Sequence, residues 1–207
     1  MRQRTRTIAL AVSLLAAAAY LVSPHPLSTI LKGLSVSLLA LVALDSERRL
    51  LAAALLLSSV GDVLLDLSPR LFVFGLAAFL ATHLVYMVLF VRHRSAAQNV
   101  AGRYVVLATL LAYGAAFGAW LWPGLGPLRM PVMLYMAALL AMVWTATRAP
   151  YRGKWVVAGA FLFLISDSIL GANQFRLAIP GHGFLIWAAY YLAQRYLTKG
   201  VLAEEGD

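Results

Sequence analysis

Four ionisable side chains interrupt apolar runs. Asp62 and Asp66 stand four residues apart in LSSVGDVLLDLSP, residues 57–69, and Asp167 falls within FLFLISDSILGANQF, residues 161–175. Lys32 breaks LSTILKGLSVSLLALV, residues 27–42. On insertion scales such a group costs about 2.5–3.5 kcal/mol at the centre of a membrane helix, and it usually faces a protein interior. Carboxyls in unlike surroundings can divide acid–base work, because burial favours the neutral acid and a nearby cation favours the carboxylate. One then gives a proton while the other supports a positive charge. Membrane aspartates and a lysine also relay protons in transport. Acid–base chemistry, proton-coupled transport and a purely structural or lipid-binding role are the classes these residues leave open.

The apolar runs are the elements that must position them. Of the 207 residues, 62% are apolar and 12% charged, and the mean hydropathy is +0.83. A soluble domain carries about 25% charged residues. The pattern predicts an all-α, polytopic transmembrane bundle forming a single integral membrane domain over residues 1–207. Spans of roughly 17–25 apolar residues fall at 7–23, 27–44, 49–67, 72–91, 103–122, 130–147, 154–172 and 182–198. Pro24 and Pro26, Pro69, PGLGP at 123–127, RAPYRGK at 148–154, and Pro180 with Gly181 punctuate them. No alternating strand pattern of barrel type is present. Cysteine is absent, which excludes disulfides and thiolate metal sites. There is no HxxxH pair either, so neither a metal nor another cofactor is expected.

A net charge of +9 first brings nucleic acid to mind. In a membrane chain the basic residues report topology instead, and no nucleic-acid partner is expected. With the N-terminus inside, the inner segments collect Arg2, Arg4, Arg6, Arg48, Arg49, Arg92, Arg94, Arg103, Arg148, Arg152, Lys154, Arg195 and Lys199. That makes 13, against Arg70, Arg129 and Arg176 outside. The chain is therefore read as N-in and C-in, in a membrane of the bacterial inner type. Trp120, Trp122 and Trp155 fall near span ends, where aromatic belts lie. Residues 1–23 also resemble a secretory signal peptide, but an uncleaved first helix completes the even bundle.

This orientation sets depth. At 1.5 Å per residue, Lys32 lies roughly 8 Å in from the outer end of its span, and Asp62 and Asp167 about 20 Å up from their inner ends. All three are placed in the outer half. Helical spacing puts Ser58, Asp62 and Asp66 on one face. Ser28, Lys32 and Ser35 share another face, as do His83, Tyr86 and Phe90. Asp167, Gly171 and Gln174 line up on the seventh span, where Gly153 and Ala160 continue the stripe. Trp187, Tyr190, Tyr191 and Gln194 line up on the eighth. Plainer readings compete. Asp66 sits near Ser68 and Pro69 and reads as a solvated interfacial carboxylate. Lys32 can snorkel outward. His83 fits a hydrogen-bonded core histidine, His25 and His93 read as solvated, and the tyrosines of the last span read mainly as packing. SVGDVLL at 59–65 and LISDSIL at 164–170 echo each other faintly, which predicts a four-plus-four internal repeat.

Taken together the residues resemble the YhhN-like membrane proteins, the family that includes the animal lysoplasmalogenases. The resemblance rests on Lys32, Gly61-Asp62 with Leu65, and Gly75, His83 and Tyr86. It continues through Tyr135 and Met142, FLFLISDSILGANQF, and Tyr190, Tyr191 and Gln194. The chain departs from the family at Gly33, where a proline is associated with the lysine. The resemblance implies an eight-helix hydrolase that cleaves the vinyl ether of lysoplasmalogens to a fatty aldehyde and a glycerophospho-headgroup. Its partners are then the lysolipid and the bilayer. Such a bond breaks when a proton adds to the β-carbon and water captures the resulting oxocarbenium ion. On that reading Asp167 is the acid, and Asp62, set by Lys32, supports the cation, with the two roles exchangeable. His83, Tyr86, Asn173, Asp66, Tyr190 and Gln194 position water or substrate, and an outer arginine (Arg70, Arg129 or Arg176) meets the headgroup. Headgroup preference and oligomeric state carry no signal in the sequence.

Overall fold

A computed structural model describes residues 3–92, 100–151 and 153–203, without the side chains of residues 100, 101 and 103. Arg2, His93, Arg94 and Arg152 lie outside the described residues. Within them there are eight long helices and no strand: α1 Gln3–Tyr20, α2 Leu27–Asp45, α3 Arg49–Leu67, α4 Phe72–Arg92, α5 Val100–Leu121, α6 Arg129–Ala146, α7 Trp155–Phe175 and α8 His182–Leu202.

Local chemistry explains the breaks. At the α3–α4 junction the Ser68 hydroxyl accepts from the Arg70 N–H at 3.2 Å, and Pro69 opens a short 3-10 turn. Two more such turns, Trp122–Gly124 and Gly126–Leu128, join α5 to α6. Gly181 adopts a left-handed conformation, φ 68°, immediately before α8. The helices fall within a few residues of the expected spans. Two differences bear on the site. Helix α7 runs on to Phe175, so Asn173 and Gln174 belong to its last turn. Gly153 does not continue the small-residue stripe of α7. It precedes the helix at φ 73°, and Gly159 supplies the close approach instead.

Six helices, α2 to α7, are long and apolar enough to cross a membrane, where eight spans were expected. Charge and polarity set the other two apart. Helix α1 includes Arg4 and Arg6 in its 18 residues, and α8 includes Gln194, Arg195 and Lys199. The lipid-facing surface is plain in the large apolar side chains left exposed, among them Leu15, Phe74, Leu111 and Met130. The protein is an integral membrane protein.

The described chain divides into two compact units, one through Tyr86 and one from Met87 onward. In the first, α2 lies against both α1 and α3. Hydroxyls bridge these helices, as expected where apolar contact alone gives little drive to associate. Ser13 donates to the Ser35 carbonyl at 2.6 Å, Ser59 donates to the Gly33 carbonyl at 2.9 Å, and Ser37 and Ser59 share a bond of 2.9 Å. Gly61 admits the Phe79 ring of α4, since a Cβ there would lie 2.7 Å from it. In the second unit α7 and α8 pack most closely. A Cβ on Gly159 would sit 2.9 Å from the Ala193 carbonyl oxygen, and one on Gly200 would sit 2.8 Å from the Val156 nitrogen. Phe163 meets Tyr190 edge-on at 5.4 Å, and Trp187 lies 5.9 Å from Tyr191.

Candidate functional site

Each unit holds a polar cluster. In the first, Lys32 lies one turn inside α2 and Asp66 in the last turn of α3. Lys32 Nζ is 3.6 Å from Asp66 Oδ1, and the two side chains are 16% and 17% exposed. The Thr29 hydroxyl donates to Asp66 Oδ2, so both carboxylate oxygens are engaged. The Lys32 ammonium also lies 5.3 Å from the Tyr20 ring centroid, at the end of α1. Three helices thus meet on one ion pair. Asp66 is not the solvated end-of-helix carboxylate that Ser68 and Pro69 implied; the lysine one helix away holds it.

Asp62 lies one turn further into α3 and is 3% exposed. Ser58, on the same face, is fully buried and donates to the Thr82 hydroxyl at 3.3 Å. Thr82 in turn bonds the Ala78 carbonyl at 3.1 Å. His83 and Tyr86 are completely buried on α4. The first unit therefore carries five of the expected site residues: Lys32, Asp62, Asp66, His83 and Tyr86.

The second cluster is built on phenols. Tyr135 of α6 donates to Asp167 Oδ2 on α7. The next residue, Ser168, is bonded to the Tyr113 hydroxyl of α5 and donates to the Leu164 carbonyl. Ser166 donates to the Ile186 carbonyl of α8 at 2.9 Å. The SDS of the LISDSIL stretch thus addresses three helices through three consecutive side chains, which a helix permits because successive residues point about 100° apart. Asp167 is half-buried.

Asn173 has a structural task. Its Oδ1 accepts the Ile179 N–H at 3.0 Å and ties the segment after α7 to the helix end. Tyr190 is buried between Phe163 and Trp187, so packing is its visible role. Gln194 is fully buried on α8.

Residues 27–201 match the YhhN family. The chain belongs to the YhhN family. Among similar proteins, a Mycobacterium bovis lysoplasmalogenase is 38% identical over 158 residues, covering 74% of this chain and 60% of its own length. Human lysoplasmalogenase TMEM86B is 32% identical over 154 residues, covering 74% of this chain and 64% of its own length. An Escherichia coli protein named uncharacterized membrane protein YhhN is 26% identical over 184 residues, covering 83% and 86%. This YhhN-family chain thus spans less than two thirds of these two lysoplasmalogenases. No solved structure matches it.

Reading the sequence by ionisable type alone missed Thr29, Tyr113 and Ser168 as members of the YhhN chain's polar clusters. Tyr135 entered only through the family resemblance. A signal existed for Thr29, which precedes Lys32 by three residues and so shares its face. Tyr113 and Tyr135 are neutral residues in apolar helices, and nothing in their own spans marks their partners.

Proposed function

We propose that this chain is a lysoplasmalogenase, hydrolysing the vinyl ether of a lysoplasmalogen within the membrane. The similarity to named lysoplasmalogenases carries the reading, and the intramembrane carboxyls supply the chemistry it needs. A proton from a carboxyl adds to the β-carbon of the vinyl ether and leaves an oxocarbenium ion at the α-carbon. Water adds to that carbon and loses a proton. The hemiacetal then collapses to a fatty aldehyde and the free hydroxyl of the glycerophospho-headgroup. General acid–base help of this kind is worth roughly 10²–10⁴-fold.

Asp167 is taken as the acid and Asp62 as the carboxylate that supports the cation, two roles that the family resemblance leaves exchangeable. The Tyr135 hydroxyl donates to Asp167 Oδ2 and so helps to orient the carboxyl. His83 and Tyr86, both buried, order water or substrate in their own unit. The Lys32–Asp66 pair is a positioning element that ties α2 to α3 beside Asp62.

The test is aldehyde release from lysoplasmenyl-ethanolamine by the purified protein in detergent, with the ester-linked lysolipid as control. Release from the vinyl ether alone is expected. A folded protein that releases no aldehyde across pH and headgroups overturns the reading and moves the carboxyls to proton-coupled transport or to another lipid.

A further inference from the structure

We infer that the outer end of α5 is a docking site for a single-chain phospholipid, with its phosphate on Arg129 and Arg176 and its chain in the groove between α5 and α6. This rests on the hydrolase reading for the choice of a lysolipid, and its geometry lies wholly within the second unit.

Three observations meet there. First, two arginines lie over two rings of one short segment. The Arg129 guanidinium lies 5.1 Å from the Trp122 ring and that of Arg176 lies 5.4 Å from Trp120. Both arginines are exposed, so their N–H donors remain open to an anion while the indole faces hold the planar groups in place. Second, the platform is held by backbone contact. A Cβ on Gly124 would lie 1.9 Å from the Phe175 carbonyl oxygen, so the turn after α5 presses directly on the end of α7. Arg176 follows Phe175, and the Asn173 amide bond to Ile179 secures the same segment. Third, Trp122, the ring that carries Arg129, is also a wall of an apolar groove of about 400 Å³ lined by Gly114, Ala115, Gly118, Ala119 and Met133. That is the lower part of the roughly 300–1,000 Å³ range of small-molecule sites, in keeping with one hydrocarbon chain rather than two.

Charge and apolar surface therefore share a residue, in the order that a lysophospholipid presents them. The same helices carry the two phenols of the Asp167 cluster. Tyr113, which bonds Ser168, directly precedes Gly114, and Tyr135, which bonds Asp167, follows Met133 by two positions. Tyr113 stacks on Phe117 at 5.4 Å, and Phe117 meets Trp120 at 5.7 Å. An aromatic row runs from the ring under Arg176 to the phenol that bonds Ser168.

An arginine on an interfacial tryptophan can also be a plain membrane anchor, and an anchor does not distinguish one ligand's phosphate. The experiment uses the full chain in detergent and a saturated alkyl-ether lysophosphoethanolamine, which cannot be cleaved, with a brominated chain to quench tryptophan fluorescence. The control ligand is the alkyl-ether glycerol with the same chain and no phosphate. The wild type is expected to bind the phosphate ligand about 10-fold or more tightly than the control, the scale of one charge-assisted contact. The Arg129→Gln/Arg176→Gln variant should lose that preference while binding the control unchanged, and Arg129→Lys/Arg176→Lys should keep part of it. Ala115→Leu/Ala119→Leu, at exposed groove positions, should weaken both ligands alike. Equal binding of the two ligands by wild type, a preserved preference in the glutamine variant, or unchanged binding in the leucine variant overturns the proposal. If the glutamine variant does not fold, the lysine and leucine variants decide. Because neither ligand is cleaved, the result is independent of turnover. Selective binding without aldehyde release from the vinyl ether would keep the docking site and sink the hydrolase.

Discussion

The two polar clusters hold a carboxyl among apolar helices by different means. In the first unit Asp66 is joined to the Lys32 ammonium and the Thr29 hydroxyl. In the second, Asp167 accepts from the phenol of Tyr135, with a second phenol, Tyr113, on the neighbouring Ser168. An ion pair in a partly desolvated place is a tie between helices: removing either partner strands the other. A phenol is a neutral partner. It orients the carboxyl without adding a charge of its own. The difference fits the proposed division, in which the first pair is a tie between helices and Asp167 takes part in the chemistry.

The largest expected effect tests that assignment directly. Asp167→Asn should lower aldehyde release by about 10³-fold, within the usual range for a lost general acid or base, while the protein stays folded by circular dichroism and gel filtration. Asp62→Asn should do the same. Wild-type rates in both variants would break the two-carboxyl reading. The next effect is of another kind. Asp66→Asn should cost stability, about 1–3 kcal/mol for a charged group deprived of a hydrogen-bonded partner, and should reduce turnover far less than Asp167→Asn. Adding Lys32→Met to Asp66→Asn should recover part of the lost stability, because the stranded cation goes with its partner. A thermal unfolding cycle over the four proteins reads the coupling. No coupling would mean that the first cluster is not the tie it resembles.

The sequence carried the helices well and their partners poorly. Helix limits were legible because proline interrupts a helix and glycine readily takes the left-handed turn at its edge: Pro69 and Gly181 stand at breaks visible in the chain. The basic residues gave an orientation and so a depth. Depth alone grouped Lys32 with Asp62 and Asp167, and the structure also joins Lys32 to Asp66, one turn along α3 from Asp62. A lysine stem is long enough to reach past its own level, so backbone height is a poor guide to where its charge lands. Asp66 was legible as an ionisable residue and illegible as a partner, since its neighbours in the chain pointed to water. Gly153 failed for a local reason, because its positive φ takes it out of the helix that its spacing extended. The hydroxyl partners Tyr113 and Tyr135 depend on which helices adjoin, and apolar spans of similar composition do not encode that.

Two smaller effects sharpen the second cluster. Tyr135→Phe keeps the ring and removes the donor to Asp167, so the carboxyl loses its orientation while the helix packing stays. A fall of about 10-fold in turnover is expected, the scale of one hydrogen bond to a charged or reacting group. The smallest effect is expected at Tyr113. Its hydroxyl meets Ser168, but the Ser168 hydroxyl also donates to the Leu164 carbonyl of its own helix. Without the phenol, Ser168 therefore keeps a partner, and Tyr113→Phe should cost less than about 1 kcal/mol of stability with turnover near wild type. Measuring Tyr113→Phe, Tyr135→Phe and the double variant gives a cycle whose additivity decides how far the cluster extends. Additive losses confine the chemistry to the Asp167–Tyr135 pair. A Tyr113→Phe loss as large as that of Tyr135→Phe, with no further loss in the double variant, would make the two phenols one network. The contrast with the first unit would then lie in the cooperation of three helices around Asp167 rather than in the choice of a neutral partner.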